Sequence, residues 1–374
     1  MRSLTRSAAF VVVAALVLSA CGGTDEPVAT NPEPSTTDVA QEPTEDLPTG
    51  ALLGAGATFV NPIFVDWIFE YNAVRNPNGK VNYQSIGSGG GISQFLGQTV
   101  DFGASERFLR TEQLQAARRD RGCDAIQFPI VFGSVTIAFN DPFYDELILD
   151  GNAIADIFER RITNYNDPAI QALNPGRELR DEAIIPVHRS DGSGTTSVFT
   201  TFLDKDGTIE DGKWTLGNGT EVQWPSGTIG GQGNEGVAAA IQQNRGALGY
   251  LNQAYVLIEG FPQARVINAD GNAVLATLEA TQEGAEVAAI PSTFQFDILD
   301  IGGNGFPITG TAWVFVWECG YDDATEKLLK DFWTWAVTQG GPLAEELGYV
   351  GMGEGLGSRV LDAIARINIE DSNA

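Results

Sequence analysis

Arg189-Ser190-Asp191-Gly192-Ser193-Gly194-Thr195-Thr196 gathers a guanidinium, a carboxylate and four hydroxyls around two glycines. Upstream, Ala183-Ile184-Ile185-Pro186-Val187-His188 reads as a short buried strand. Downstream, Val198, Phe199, Phe202 and Leu203 recur at helical spacing, with Thr195 or Thr196 available as the N-cap. A strand, a glycine-rich turn and a helix start make an anion site. The first-turn N–H groups have no partner within the helix and lie at the positive end of its dipole. Arg189 adds a fixed cationic fork, and Asp191 is placed to hold that fork. The structural alternative is a loop that satisfies its own polar groups.

The same device occurs twice more. Ala51-Leu52-Leu53-Gly54-Ala55-Gly56-Ala57-Thr58-Phe59 is an apolar strand running into glycines, before a helix with Ile63, Phe64, Trp67, Ile68 and Tyr71 on one face. A dinucleotide fingerprint is excluded, because Phe59 replaces its third glycine and no confirming acid ends the next strand. Val81–Ile86 forms that strand, ending in Gly87-Ser88-Gly89-Gly90-Gly91, with Ile92, Phe95 and Leu96 opening a helix. Val100-Asp101-Phe102-Gly103-Ala104-Ser105 is a brief strand with a carboxylate near its start.

These turns need strands and helices to hold them. Residues 106–122 read as a charged surface helix, and Ala125–Asn140 as a long strand crossing the protein. Helices are expected near Gly151–Phe158, Asp167–Leu173 and Asn234–Asn244, the last with a capping residue at its front. Gly249–Leu251 and Tyr255–Ile258 read as a buried strand region, Ala264–Asn268 and Ile308–Trp317 as strands. Residues 323–339 and 356–367 read as helices. Strands alternating with helices predict an α/β chain with mainly parallel sheets, in which ligands sit at the carboxyl ends of strands.

The chain of 374 residues is long enough for two lobes, and its formal charge of −27 argues against nucleic-acid binding. Residues 1–20 read as a targeting segment: Arg2 and Arg6 precede an apolar run that ends in Leu18-Ser19-Ala20-Cys21. Its removal takes two arginines and no acids, moving the charge from −27 to −29. Gly22–Thr49 holds five prolines and seven acids without a basic or aromatic residue, so it reads as a disordered, extended tether. Cys123 and Cys319 remain as a pair, either bridged or as two buried thiols.

Catalytic constellations are sparse. Asp191-Gly192-Ser193-Gly194 lacks the leading glycine of a nucleophile elbow, and His188, the single histidine, precedes that turn and reads as structural. No His/Cys cluster suits zinc, and no phosphate-cradling G-x-x-x-x-G-K-[ST] is present. A binding protein without cofactor or metal is expected.

G-A-G-A-T-F at 54–59, V-N-Y-Q-S-I-G-S at 81–88, V-D-F-G-A-S at 100–105, R-S-D-G-S-G-T at 189–195 and N-E-G-V-A-A at 234–239 together resemble one family. It is the phosphate-binding lipoproteins of bacterial high-affinity phosphate ABC importers, and the resemblance covers essentially the whole body from Gly54. Leu18-Ser19-Ala20-Cys21 likewise resembles a lipobox, which implies lipid on the Cys21 thiol. The family resemblance implies a type II periplasmic-binding-protein fold of two α/β lobes, here 50–127 with 262–374 and 128–261, and phosphate in the cleft. It implies Thr58, Phe59 and Ser88 as donors on one side, with Arg189, Ser193, Gly194 and Thr195 on the other. Asp191 would hold the guanidinium, and Asp101 would accept from a protonated oxygen and so repel sulfate. It further implies a monomer that delivers phosphate to permease subunits. Another tetrahedral oxyanion, or a sensing role, is the alternative. Glu106-Arg107-Phe108 departs from the family's usual Asp-Ala-Pro-like turn, Gly89 from a second serine and His188 from a second arginine.

Overall fold

The computed structural model describes residues 47–140 and 146–369. The expected targeting segment, Cys21 and all but the last three residues of the tether lie outside them.

The chain begins with β1 (Gly50–Gly56), α1 (Asn61–Glu70) and a π-helical turn at Tyr71–Arg75. Pro62 suits the first turn of α1, where an N–H would have no helical partner. Next come β2 (Gly79–Ser85), α2 (Ser88–Leu96), β3 (Phe102–Ser105) and α3 (Thr111–Arg121). β4 (Ala125–Phe139) is the longest strand. It is followed by β5 (Ile148–Leu149), α4 (Gly151–Phe158) and α5 (Pro168–Leu173). β6 (Ile185–Arg189), α6 (Gly194–Lys205), β7 (Ile229–Gly231), α7 (Gly233–Gln243) and β8 (Ala247–Asn252) then alternate. After them come α8 (Gln253–Glu259), β9 (Arg265–Ile267), β10 (Ala273–Val274), α9 (Leu278–Glu286) and β11 (Thr309–Trp317). The last helices are α10 (Asp323–Gln339), α11 (Gly341–Glu346) and α12 (Glu354–Ala365).

The main sheet has the order β2-β1-β3-β11-β4-β8-β6-β7, and β10-β9-β5 form a smaller one. β4 joins the two halves of the main sheet. It pairs with β11 as far as Ser134 and with β8 from Val135 onward, antiparallel to both. The seam of the sheet therefore falls inside β4.

The pairings fix where the strand ends point. β3 is antiparallel to β11, and β11 to β4, so the parallel set β1–β3 runs in the direction of β4. β8 opposes β4, and β6 and β7 are parallel to β8. The two parallel sets thus run head-on, and the carboxyl ends of both converge on the seam. Each set also reverses strand order there: β1 lies between β2 and β3, and β6 between β7 and β8. Such reversals open a crevice for ligands.

One half of the sheet is backed by α10, whose buried Trp333 packs against Phe64, Phe102 and Phe128. The other is backed by a ring cluster in which Phe199 stacks on Tyr250 at 4.2 Å and His188 on Trp224 at 4.8 Å. Cys123 and Cys319 form a disulfide that ties the chain after α3 to the end of β11.

Two local expectations give way. Tyr255–Ile258 is helical, not a strand: the Asn252 side chain accepts from Ala254 N–H at 2.9 Å and starts α8, overriding a β-prone run. Residues 106–110 are not helix; α3 begins at Thr111, and Glu106 is buried.

Candidate anion-binding site

The turn after β1 depends on Gly56, whose φ is +147° and whose Cβ would meet Ala104 O at 2.0 Å. The chain then presents Thr58 and Phe59 at the start of α1, both buried. After β2, Gly87 at φ +83° lets Ser88 open α2. After β6, Ser193 caps α6, its Oγ accepting from Thr196 N–H at 3.0 Å. The N-cap is thus Ser193 rather than Thr195 or Thr196. Those two side chains are drawn into longer-range bonds, and a serine at Ncap satisfies the N3 donor well.

These turns meet. Gly89 N–H donates to Gly192 O at 2.8 Å, joining the second turn to the third. A Cβ on Gly194 would lie 2.6 Å from Ser88 Oγ and 2.4 Å from Glu106 Oε2, so only glycine permits this approach. Among the described residues, the N–H groups of Thr58, Phe59, Ser88, Gly194 and Thr195 have no acceptor. All five belong to helix starts or to the turns leading into them, where the backbone offers donors only.

The carboxylate within this cluster is Glu106. It accepts from Ser88 Oγ at 2.5 Å through Oε2 and from Thr195 Oγ1 at 2.7 Å through Oε1. Burial raises its pKa above the ordinary glutamate value; the two hydroxyls and the Arg189 guanidinium counter this only in part. Arg189 is buried and forked onto Asp191, with Nε–Oδ1 at 2.9 Å and Nη2–Oδ2 at 2.6 Å. Burial by itself would lower the Arg189 pKa, but Asp191, and beyond it Glu106, raise it. Burial pushes Asp191 up, yet the guanidinium and Gly233 N–H hold it below the usual aspartate range. Two nearby carboxylates are thus shifted in opposite directions. Asp191 is committed to its arginine, and Glu106 is held by two neutral hydroxyls.

Asp101 does not join the cluster. Its Oδ2 accepts from Leu53 N–H at 2.7 Å, and its own N–H donates to Leu53 O at 2.8 Å. It sits at the amino end of β3 beside Arg121, Tyr321 and Asp322. Five steps of extended chain separate it from Glu106, about 16 Å. The carboxylate at the convergent turns is instead Glu106, which opens the departing Glu106-Arg107-Phe108 turn at the carboxyl end of β3. Thr58, Phe59, Ser88, Arg189, Asp191, Ser193, Gly194 and Thr195 all lie at the convergent turns.

Two further residues escape a motif reading. Tyr250 Oη accepts from Arg189 N–H at 3.2 Å and lies 2.6 Å from Thr196 Oγ1, fixing the end of β6. Asn234, expected to cap its helix, instead reaches Thr58 and Thr195 with its amide. The N-E-G-V-A-A stretch at 234–239 carries part of the family resemblance, but locally Asn234 reads only as a cap.

No helix among the described residues is long and apolar enough to cross a membrane, and no group of three or more His, Cys, Asp and Glu side chains among them could hold a metal.

Residues 31–339 match the PBP superfamily domain. The phosphate-binding protein PstS of Xylella fastidiosa strain 9a5c is 38% identical over 321 residues, covering 84% of each chain. That of Pasteurella multocida is 38% identical over 308 residues, 81% of this chain and 86% of the relative. The crystal structure of a phosphate-binding protein from Stenotrophomonas maltophilia superposes with a TM-score of 0.64 at 20% identity, over 84% of this chain and 94% of that one. With the type II two-sided fold and these relatives together, the chain belongs to the PstS phosphate-binding proteins of the PBP superfamily.

Proposed function

We propose that this protein captures inorganic phosphate between the two halves of its sheet and delivers it to the permease of an ABC importer. The observation that carries this reading is a buried set of donors around one carboxylate acceptor, Glu106. Thr58, Phe59, Ser88, Arg189, Ser193, Gly194 and Thr195 supply the donors, and Asp191 keeps the guanidinium aimed. A tetrahedral oxyanion accepts hydrogen bonds from every side, which suits such a wall. An ionised Glu106 can only accept, so it requires one ligand oxygen to carry a proton. Phosphate keeps such a proton at neutral pH, whereas sulfate would place a bare oxygen against a buried carboxylate. Ser88 can swing its hydroxyl from Glu106 to the anion at little cost.

The protein binds its ligand and does not transform it, a reading supported by curated relatives that are named as phosphate-binding proteins. The two lobes, expected to part at 127/128, divide instead at the seam between Ser134 and Val135 and close by a hinge motion across the strands that join them. The chain acts as a monomer outside the cytoplasmic membrane, held by lipid on the Cys21 thiol and separated from it by the acidic tether. The anchoring rests on the Leu18-Ser19-Ala20-Cys21 pattern and on the composition of residues 22–49, and the monomer reading on the family resemblance.

Calorimetric titration with phosphate, arsenate and sulfate tests the reading. Tight phosphate binding with sulfate at least a hundredfold weaker is expected. Tight sulfate binding with none for phosphate would overturn it.

A further inference from the structure

We propose that Asn234 is a positioning residue that dictates the direction of two hydroxyl protons in the anion site; this rests on the phosphate reading above. A threonine hydroxyl has one proton to donate and two lone pairs to fill. Thr58 Oγ1 accepts from Asn234 N–H at 3.1 Å and from Asn234 Nδ2 at 2.9 Å. Both lone pairs are therefore taken, and the remaining proton must point outward as a donor. Thr195 Oγ1 receives the other proton of the same amide at 3.3 Å and Arg189 Nη1 at 3.3 Å, and its own proton goes to Glu106. One fully buried amide thus leaves both threonines only the donor role.

The amide itself cannot turn over. Asn234 Oδ1 accepts from Asn252 N–H at 3.1 Å, so the NH2 group must face the two threonines. Asn252 in turn is anchored by its own contacts to Ala254 N–H and Tyr349 Oη. Thr58 leads into α1 and Thr195 lies in the first turn of α6, so the same side chain bridges the two sides of the site. The consequence is specific. Without Asn234, either hydroxyl could rotate to present a lone pair to the ligand, and an anion would meet repulsion instead of a bond.

Asn234→Asp keeps the shape and removes the donors. The introduced carboxylate, when ionised, would accept from Thr58 and Thr195, turning their protons away from the ligand. The ionisable groups facing this position are Glu106 and Arg189 through Thr195, and Asp191 through Gly233 N–H. Glu235, its chain neighbour, points instead to Tyr255 Oη at 2.8 Å and Asn61 Nδ2 at 3.4 Å.

The experiment is calorimetric titration of the full chain with inorganic phosphate from pH 5 to pH 8, for the unmodified protein, Asn234→Asp and Asn234→Ala. The expected loss at pH 8 is about 100-fold for Asn234→Asp and about 10-fold for Asn234→Ala. Relative to the unmodified protein, the carboxylate variant regains affinity as its new acid is protonated toward pH 5, while the alanine variant does not. A merely structural role would give both variants the same loss at every pH, and that result, or unchanged affinity in Asn234→Asp, overturns the proposal. Should Asn234→Asp not fold, a cycle of Thr58→Ala with Asn234→Ala decides. Asn234→Ala must cost less in the Thr58→Ala background, and strict additivity refutes the coupling. If the unmodified chain binds no phosphate, the phosphate reading itself fails and takes this proposal with it.

Discussion

Glu106 Oε1 accepts the Thr195 hydroxyl at 2.7 Å, linking the carboxyl end of β3 to the first turn of α6 across the seam of the sheet. The bond brings the site's acceptor, through Thr195, to the buried Arg189 cation. Electrostatics and closure of the two sides are thus carried by the same pair.

Glu106→Gln replaces an acceptor-only group with one that also donates. Phosphate affinity should fall by about tenfold, and sulfate, weak for the unmodified protein, should bind within about tenfold of phosphate. Acid should mimic this change. The Glu106 pKa lies above the ordinary 4.5, so sulfate affinity should rise as pH drops through that raised value and Glu106 gains a proton. Competition calorimetry checks both, and a variant that still rejects sulfate would refute the role given to Glu106.

Asp101→Asn should leave anion selectivity untouched. The carboxamide oxygen can still accept from Leu53 N–H, so the cost is confined to stability, about 0.5–1.5 kcal/mol. A changed phosphate-to-sulfate ratio in this variant would place the selective carboxylate at the wrong end of β3.

Asp191→Asn leaves the Arg189 guanidinium without its ion partner, at a side-chain exposure of 1%. Breaking a buried pair in this way costs about 3–5 kcal/mol in general. About 2–4 kcal/mol is expected here, because Glu106 remains nearby. The pH dependence has a fixed sign. Asp191 is depressed in the folded state, so its stabilisation is complete above the unfolded aspartate value and is lost as pH falls through the lower folded value. Denaturant titrations should find the variant's deficit constant from pH 7 to about pH 5 and shrinking below about pH 4. A deficit that persists undiminished at about pH 2.5 would contradict the ion-pair account.

Cys123 and Cys319 are bridged over a separation of 196 residues, at the end of β4 and β11 remote from the seam. Loop-closure entropy sets an upper limit of about 5 kcal/mol on such a bridge. Replacing both with serine should lower unfolding free energy by about 2–5 kcal/mol and leave phosphate affinity within about twofold. Loss of binding in a folded double variant would show that the bridge reaches the site.

Much of the site was legible because its chemistry is local. A strand, a glycine turn and a hydroxyl-bearing helix start are written in consecutive residues, as at Gly56–Phe59, Gly87–Ser88 and Arg189–Thr195. The donors they expose follow from backbone geometry alone. The carboxylate was harder. Asp101 and Glu106 flank the same four-residue strand, and composition does not distinguish them. The rule that ligands gather at carboxyl ends of parallel strands would have chosen Glu106. The resemblance at 100–105 points to Asp101, at the amino end of β3, whereas the turns converge at its carboxyl end.

Sequence by itself determined the α/β alternation, the three anion-ready turns and the pairing of Arg189 with Asp191, since each depends on residues a few positions apart. Tertiary structure decided what lies opposite what. Only the head-on arrangement of the two parallel strand sets brings Thr195 to Glu106, and only the seam through β4 lets the Asn234 amide bridge Thr58 and Thr195. The physical reason is distance along the chain: a side chain's local role, such as an N-cap, competes with partners far away in sequence, and packing settles which one wins.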